Sequence, residues 1–126
     1  MNQPEMNLRG AFKTDDRGHF WFKTIKPAAY PVPTDGPVGE LLRASGRHAM
    51  RPAHIHFMIS AAGHERLITH LFVKGDRYLD SDAVFGVKDS LILDFVPNHN
   101  TEEAAQLGFK TPFCAVHYDF KLKKLE

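Results

Sequence analysis

The chain has 126 residues with a formal net charge of +1, and 43% of its residues are hydrophobic while 25% are charged. This length is typical of one domain with a single core, and this composition excludes a disordered tail and a membrane protein. Sixteen basic residues balance fifteen acidic ones without forming a stripe of either sign, which argues against a nucleic-acid partner. The lone Cys114 has no intrachain disulfide partner, so we expect a cytoplasmic protein.

The first part of the chain is predicted to form a β-hairpin followed by a stiff loop. Residues 7–14 and 19–25 have strand composition, and Asp15-Asp16-Arg17-Gly18 between them is typical of a turn. Residues 27–37 contain four prolines and cannot supply a central strand. Residues 38–44 have room for about two helical turns, which Gly46 would end.

The second part is predicted to alternate strands with one helix. The helix covers 101–107, with Thr101 as its cap and Gly108 at its end. Strands are predicted at 55–60, 67–73, 90–96 and 115–122. We therefore expect an all-β fold, a sandwich or barrel, with short helices and long Pro/Gly-rich loops in one domain, residues 1–126.

The pair His54 and His56 is the sharpest chemical feature. Side chains two residues apart on a strand point to the same side, so both imidazoles can reach one metal ion, while Ile55 points to the other side. A surface histidine pair without metal is the alternative. A zinc or copper site in an unrelated β fold is another, although the sequence shows no carboxylate at a convincing spacing to complete it.

Tyr30 and Arg51 are the residues we expect beside these histidines. Pro31 and Pro33 restrict the backbone around Tyr30, and a phenol becomes an anionic ligand beside a strong positive charge. Arg51 would hold an anionic substrate or intermediate. The alternatives are a tyrosine that packs a loop and an arginine on the surface.

These motifs resemble the intradiol ring-cleavage dioxygenases, and within them the catechol and hydroxyquinol 1,2-dioxygenases. The resemblance rests on Tyr30-Pro31-Val32-Pro33, Gly46-Arg47-His48, Arg51-Pro52-Ala53-His54-Ile55-His56-Phe57, Thr69-His70 and Gly75-Asp76, and it covers nearly the whole chain. Pieces at 38–39 and 82–86 favour the hydroxyquinol branch, with substrates like 1,2,4-trihydroxybenzene.

The resemblance implies a β-sandwich with a non-haem Fe(III) site that uses O₂ to open a catechol to a cis,cis-muconate in aromatic catabolism. It implies His54 and His56 as iron ligands, Tyr30 as the axial tyrosinate that leaves iron and takes a catechol proton, and Arg51 as the stabiliser of charge on the substrate. It also places His70 at a polar position near the substrate, where a structural histidine is an equal alternative. A homodimer is implied for a full-length relative.

One departure from the family is important. In the family, the second tyrosine ligand precedes the axial tyrosine by more residues than lie before Tyr30 in this chain, so its position falls before Met1. The other tyrosines, Tyr78 and Tyr118, do not match a ligand position. We therefore expect an N-terminally truncated catalytic domain, from a fragment or a gene with a misplaced start, because the chain begins almost directly in a predicted strand. The alternative is a short, catalytically impaired module that binds metal or an aromatic ligand.

Overall fold

A computed structural model describes residues 4–126 of the chain. In this range it contains two α-helices, α1 (Pro37–Ala44) and α2 (Thr101–Leu107), and two 3₁₀ turns at Leu79–Ser81 and Asp89–Leu91. Its strands are short: β1 (Tyr30–Pro31), β2 (Met50–Arg51), β3 (His54–Ile59), β4 (Leu67–Val73), β5 (Ile92–Leu93), β6 (Val96–Asn98) and β7 (Phe113–Ala115). None of the described helices is long and apolar enough to cross a lipid bilayer.

The strands form three separate small sheets. Strands β1 and β2 pair antiparallel, β6 and β7 pair antiparallel, and the third sheet has the order β3-β4-β5 with β5 parallel to β4. The prediction that strands outnumber helices is confirmed among the described residues. The sheets of the described residues are not closed on one another into a barrel.

The antiparallel hairpin of β3 and β4 organises the molecule. Because side chains alternate along a strand, Ile55 and Phe57 face one side of the hairpin and the two histidines face the other. The first side packs on a small core of Ala53, Val73 and Phe95, to which Ile55, Leu93 and Cys114 add partly buried surface. The hairpin therefore separates an apolar core from a polar, histidine-bearing face.

The predicted hairpin at 7–25 is correct in its turn and wrong in its strands. Gly18 adopts the left-handed conformation, with φ of +82°, and the Asp15 carboxylate accepts hydrogen bonds from the backbone of Arg17 and His19. The flanking residues have no strand pairing. Phe20 packs edge-on against Phe57 of the hairpin and Phe22 packs on the same ring at a tilt, so ring packing takes the place of a ladder of hydrogen bonds.

The helices agree with the sequence better than the last strands do. Helix α2 has the predicted bounds and ends at Gly108 with φ of +69°, but its cap is wrong. The Asn100 side chain, rather than Thr101, accepts the backbone hydrogen bonds of Glu102 and Glu103.

The predicted strands at 90–96 and 115–122 are largely wrong. The first divides into a 3₁₀ turn and two short strands that belong to different sheets. The second is replaced by β7, and the chain beyond it attaches to the loop of the β3–β4 hairpin, where Glu65 N–H donates to the Lys123 carbonyl at 2.8 Å. Phe120, inside the predicted strand, packs on Phe57 through its ring.

Candidate metal and substrate site

The two-residue ladder of β1 and β2 brings the tyrosine to the histidines. Tyr30 pairs directly with Arg51, so both side chains lie on the same side of this small sheet. The Tyr30 hydroxyl lies 3.4 Å from Nε2 of His54, and the two rings are 5.4 Å apart between centroids. Within the proline-rich segment, β1 therefore pairs with β2 and places Tyr30 beside His54. The sequence predicted only an irregular loop there.

Four cross-strand positions of the β3–β4 hairpin form the floor of the site. His54 pairs with Phe72, and His56 pairs with His70, so all four side chains share one face. The ring centroids of His56 and His70 are 4.3 Å apart, and those of His54 and His70 are 5.2 Å apart. Phe72 is fully buried and packs against the rings of His54 and His70.

The hydrogen bonds of His54 define which nitrogen can bind a metal. Its Nδ1 donates to the Pro52 carbonyl at 2.6 Å, which leaves the lone pair on Nε2. That Nε2 accepts a hydrogen bond from Arg51 Nη1 at 3.0 Å and lies 3.1 Å from Nε2 of His56. The imidazole is therefore oriented as metal-binding histidines usually are, with a backbone carbonyl behind the ligand nitrogen.

Arg51 is held in the site by a buried ion pair. Its Nε and Nη2 donate to the two carboxylate oxygens of Asp82 at 3.0 and 3.3 Å, and the residues are only 5% and 3% exposed. Burial alone would raise the pKa of Asp82, but hydrogen bonds from Arg51 and from the backbone of Gly86 and Val84 outweigh it, so this pKa lies below its ordinary value. A Cβ at position 86 would lie 3.1 Å from Arg51 Nη2, so glycine there leaves room for the pair.

The three imidazoles are biased towards the neutral state. Burial lowers the pKa of His54 and of His56, and the nearby charge of Arg51 lowers both further. Burial is also the largest influence on His70, and together with His56, Arg51 and His54 it lowers the pKa of His70 to about 4. Neutral imidazole is the form that binds metal ions.

The sequence did not identify Asp82 as part of the site. No spacing pattern links a carboxylate to an arginine 31 residues earlier, and only folding of the 76–86 segment onto β2 brings them together. Residues of the motifs quoted above also connect this segment to the strands around the site. His48 Nε2 lies 2.9 Å from the Ser81 hydroxyl, Arg47 donates to the Asp82 carbonyl, and Asp76 accepts from the Ala53 backbone.

The other tyrosines lie away from the histidines. Tyr78 packs against His48, and Tyr118 packs edge-on against Phe120 on the opposite side of the hairpin. Of the three tyrosines in the chain, Tyr30 is the one that contacts one of the histidines His54, His56 and His70. The prediction that neither of the others replaces a second tyrosine ligand is consistent with this placement.

The histidine face is open. On the same face as His56 and His70, the pair of Met58 and Ile68 is 66% and 64% exposed. A cavity of about 430 Å³ lies among residues 11–21, and one of about 310 Å³ lies beside Tyr118, so neither is lined by a residue of the predicted site.

Comparison with known proteins decides the family. A family model described as "Dioxygenase" matches residues 1–124. The chain is 51% identical over 123 residues to a hydroxyquinol 1,2-dioxygenase of Rhizobium sp. (strain MTP-10005), covering 97% of this chain and 42% of that protein. The chain belongs to the intradiol ring-cleavage dioxygenases. An unrelated β fold with a zinc or copper site is therefore excluded.

Two further members of the dioxygenase family support this assignment. Identity is 65% over 101 residues to a 6-chlorohydroxyquinol 1,2-dioxygenase of Cupriavidus pinatubonensis, covering 80% of this chain and 36% of that one. A solved hydroxyquinol 1,2-dioxygenase from Pseudomonas putida DLL-E4 superposes with a TM-score of 0.86 at 49% identity, over 98% of this chain and 44% of that one. The chain thus spans about two-fifths of the length of these dioxygenases.

The donor set of this dioxygenase chain fits an iron ion through three residues. Ligand atoms that share one ion at about 2.0–2.1 Å lie roughly 3 Å apart, which matches the spacings around His54 Nε2 of 3.4 Å to Tyr30 and 3.1 Å to His56. A phenolate oxygen beside two imidazoles suits the hard, highly charged ferric ion. When an ion replaces the hydrogen bond from Arg51 to His54, Asp82 still balances the guanidinium charge.

Proposed function

We propose that this chain carries the iron- and substrate-binding residues of an Fe(III)-dependent intradiol dioxygenase that cleaves a catechol with O₂ to a cis,cis-muconate-type product. The observation that carries the proposal is the convergence of Tyr30, Arg51 and His56 around the nitrogen Nε2 of His54. Tyr30 reaches this point from a segment of the sequence that is separate from the Arg51–Phe57 motif. Membership of the dioxygenase family supports it.

The proposed substrate class is hydroxyquinol-like, meaning a catechol with a further ring hydroxyl. Support comes from the relatives, since identity is 51% and 65% to proteins named for hydroxyquinol or chlorohydroxyquinol cleavage. It is 40% to a catechol 1,2-dioxygenase of Candida albicans. The pieces at 38–39 and 82–86 point to the same branch, and the second lies beside Arg51.

Each residue has a separate proposed role. His54, His56 and Tyr30 would hold the ferric ion, which supplies Lewis acidity that favours loss of the catechol protons. The Tyr30 phenolate oxygen, on a residue that is 43% exposed, would accept a catechol proton and become the neutral phenol. Arg51, held rigidly by Asp82, stabilises negative charge on the bound substrate, and His70 contacts the substrate from β4.

The decisive experiment uses the chain loaded with Fe(III), with iron measured beside the visible absorption spectrum. We expect a broad tyrosinate-to-iron band that is absent from Tyr30→Phe, and an iron content that falls at least about tenfold in His56→Ala because a ligand is removed. His99→Ala, which replaces an exposed histidine outside the site, is the matched control. Full iron binding and an unchanged band in His56→Ala would contradict the ligand assignment.

Product formation separates the enzyme from the second candidate, a catalytically impaired module that binds metal or an aromatic ligand. The open face around Met58 and Ile68, together with the single tyrosine at the site, favours this candidate for the isolated chain. Ring cleavage of hydroxyquinol faster than of catechol supports the enzyme and its proposed substrate class. Iron binding and colour without ring cleavage support the module.

Several finer expectations stay predictions. They are the β-sandwich architecture, the assignment of residues 1–126 as an N-terminally truncated catalytic domain, the cytoplasmic location, the homodimeric state of a full-length relative and the lack of a nucleic-acid partner. The prediction that the chain begins almost directly in a strand is wrong, since the described residues before Tyr30 contain no strand.

A further inference from the structure

The turn that carries Asp82, residues 82–86, contains a strained residue. Phe85 has a φ of +54°, in the left-handed region that a bulky side chain rarely adopts, although the residue is 79% exposed and has no place in the core. Such a conformation persists only where surrounding contacts impose it. One of these contacts is the hydrogen bond of 3.0 Å from the Phe85 N–H to the Asp82 carbonyl, which closes the turn.

Arg47 makes the other contact that holds Phe85. The guanidinium carbon of Arg47 lies 3.9 Å from the centroid of the Phe85 ring, and its Nη2 donates to the Asp82 carbonyl at 3.0 Å. A carbonyl oxygen has two lone pairs, so the Asp82 carbonyl accepts from Arg47 and from the Phe85 N–H at the same time. Arg47 therefore contacts both the first residue of the turn and its strained residue.

The conformation of the 82–86 turn determines where the Asp82 carboxylate points. The Val84 N–H donates to Oδ1 at 3.3 Å and the Gly86 N–H donates to Oδ2 at 2.9 Å. These two donors lie on either side of Phe85 in the sequence, so a change of its φ to an ordinary value would move them relative to one another. The same two oxygens accept from Arg51, and the direction of that guanidinium therefore depends on the turn.

We propose that Arg47 is a positioning residue for Arg51 and acts by holding the 82–86 turn in its strained form. The role rests on the proposed function, in which Arg51 stabilises negative charge on the bound catechol. A charge fixed in advance does this better than a mobile one, because it does not have to reorient during the reaction. Arginine is required at position 47, because a planar guanidinium can stack on a ring while donating a hydrogen bond in its own plane, whereas lysine is only a point charge.

Solvent exchange of the Arg51 Nε–H, followed by ¹H–¹⁵N NMR on the chain without iron, tests the proposal directly. In the unmodified chain we expect slow exchange, since this group is buried and donates to Asp82, and its signal is identified by its absence from Arg51→Lys. In Arg47→Lys exchange should be about tenfold faster or more, because the hydrogen bond of a charged donor is lost. Arg43→Lys is the matched control, since Arg43 donates to the Thr34 carbonyl at 3.2 Å, outside the turn.

Backbone amides of the β3–β4 hairpin distinguish positioning from general loss of structure. Their exchange rates should stay the same in Arg47→Lys while that of the Arg51 Nε–H rises. Phe85→Leu, which keeps an apolar side chain but removes the aromatic ring, should raise the Arg51 rate by a smaller factor, since the hydrogen bond from Arg47 remains. Rapid exchange of the Arg51 Nε–H in the unmodified chain, an unchanged rate in Arg47→Lys, or an equal rise in the hairpin amides overturns the proposal.

Steady-state kinetics of the iron-loaded chain with hydroxyquinol connect this positioning to the reaction. In Arg47→Lys we expect kcat to fall about tenfold, with KM within about threefold and iron content unchanged, because the lost interaction acts on charge that develops during the reaction. A rise in KM alone would contradict the role of Arg47 in the reaction. If the unmodified chain does not cleave hydroxyquinol, the proposed function fails, while the exchange rates still decide whether Arg47 positions Arg51.

Discussion

Residues 30–86 are held together in a different way from the segments on either side of them, residues 4–26 and 116–126. In the first region, strand pairing, the Arg51–Asp82 ion pair and buried hydrogen bonds specify where each donor atom lies. The flanking segments contain no strand ladder; stacked rings such as Phe20 on Phe120 join them to one another, and backbone hydrogen bonds attach the end of the chain to the β3–β4 loop. Hydrogen bonds and an ion pair, which depend on direction, therefore surround the histidines, while apolar ring contacts, which depend less on direction, help to attach the flanking segments.

The chain has a large exposed surface area, as expected where the flanking segments are attached without a strand ladder. The chain exposes 10196 Å², whereas a compact monomer of this length exposes about 6,800 Å². Large hydrophobic residues are among those exposed, including Trp21 at 73% and Ile25 at 67% in the first flanking segment. The stability of the chain should therefore depend more on residues 30–86 than on the flanking segments.

The largest expected effect follows from removal of the buried carboxylate. Asp82→Ala leaves the guanidinium of Arg51 buried without its partner, which should lower the free energy of unfolding by about 3–5 kcal/mol. Urea denaturation followed by circular dichroism measures this change. Asp80→Ala removes an exposed carboxylate two residues away and should change stability by less than about 0.5 kcal/mol. If the two variants lost similar amounts of unfolding free energy, the Arg51–Asp82 ion pair would not hold residues 30–86 together, and the contrast with the flanking segments would fail.

A smaller effect is expected where the flanking segments meet the hairpin. Phe57 contacts Phe20, Phe22 and Phe120, so Phe57→Ala should cost roughly 2 kcal/mol, about half the cost for a fully buried phenylalanine. The same denaturation experiment measures it, with Trp21→Ala, a change at a 73% exposed ring, as the control. A loss above that of Asp82→Ala would show that ring packing, rather than the polar network, dominates.

The smallest effect is expected for the exposed ion pair between the hairpin loop and the end of the chain. The Lys123 ammonium lies 2.7 Å from the Glu65 carboxylate, and both side chains are exposed. Glu65→Gln should lower the free energy of unfolding by about 0–1 kcal/mol, and the difference should shrink as salt is added. Backbone hydrogen bonds keep this segment attached in the variant. A large, salt-independent loss would show that the side chains, and not the backbone, make the attachment.

The site could be predicted from the sequence further than the fold could. His54 and His56 could be placed on one face from the sequence because alternation along a strand is a local property. Tyr30 was singled out through the family resemblance, since a proline-restricted backbone fits a loop-packing tyrosine equally well. Asp82 was not identifiable, because its partner Arg51 lies far away in the sequence and a single aspartate forms no recognisable motif. The proximity of His70 to the other two histidines depends on strand register, which the sequence does not determine without knowledge of the loop between β3 and β4.

The errors in the fold have a common physical cause. Residues 19–25 and 115–122 have the aromatic and alternating composition of strands, but composition reports a preference for an apolar surface and not the presence of a pairing partner. Phe20 and Phe120 satisfy that preference by packing against the ring of Phe57. The cap of α2 was placed one residue late because Asn100 and Thr101 are both good caps, and only the hydrogen bonds of Asn100 distinguish them.

The location of three histidines on one hairpin also has a consequence for the order in which the molecule assembles. Contacts between neighbouring segments form earlier than contacts between distant ones, because closing a short loop costs less entropy. Pairing of His56 with His70 closes a shorter stretch of chain than pairing of Tyr30 with Arg51 or contact of Arg51 with Asp82. We therefore expect the β3–β4 hairpin to form its histidine face early, and the Tyr30 phenol and the Asp82 carboxylate to join a face that already exists.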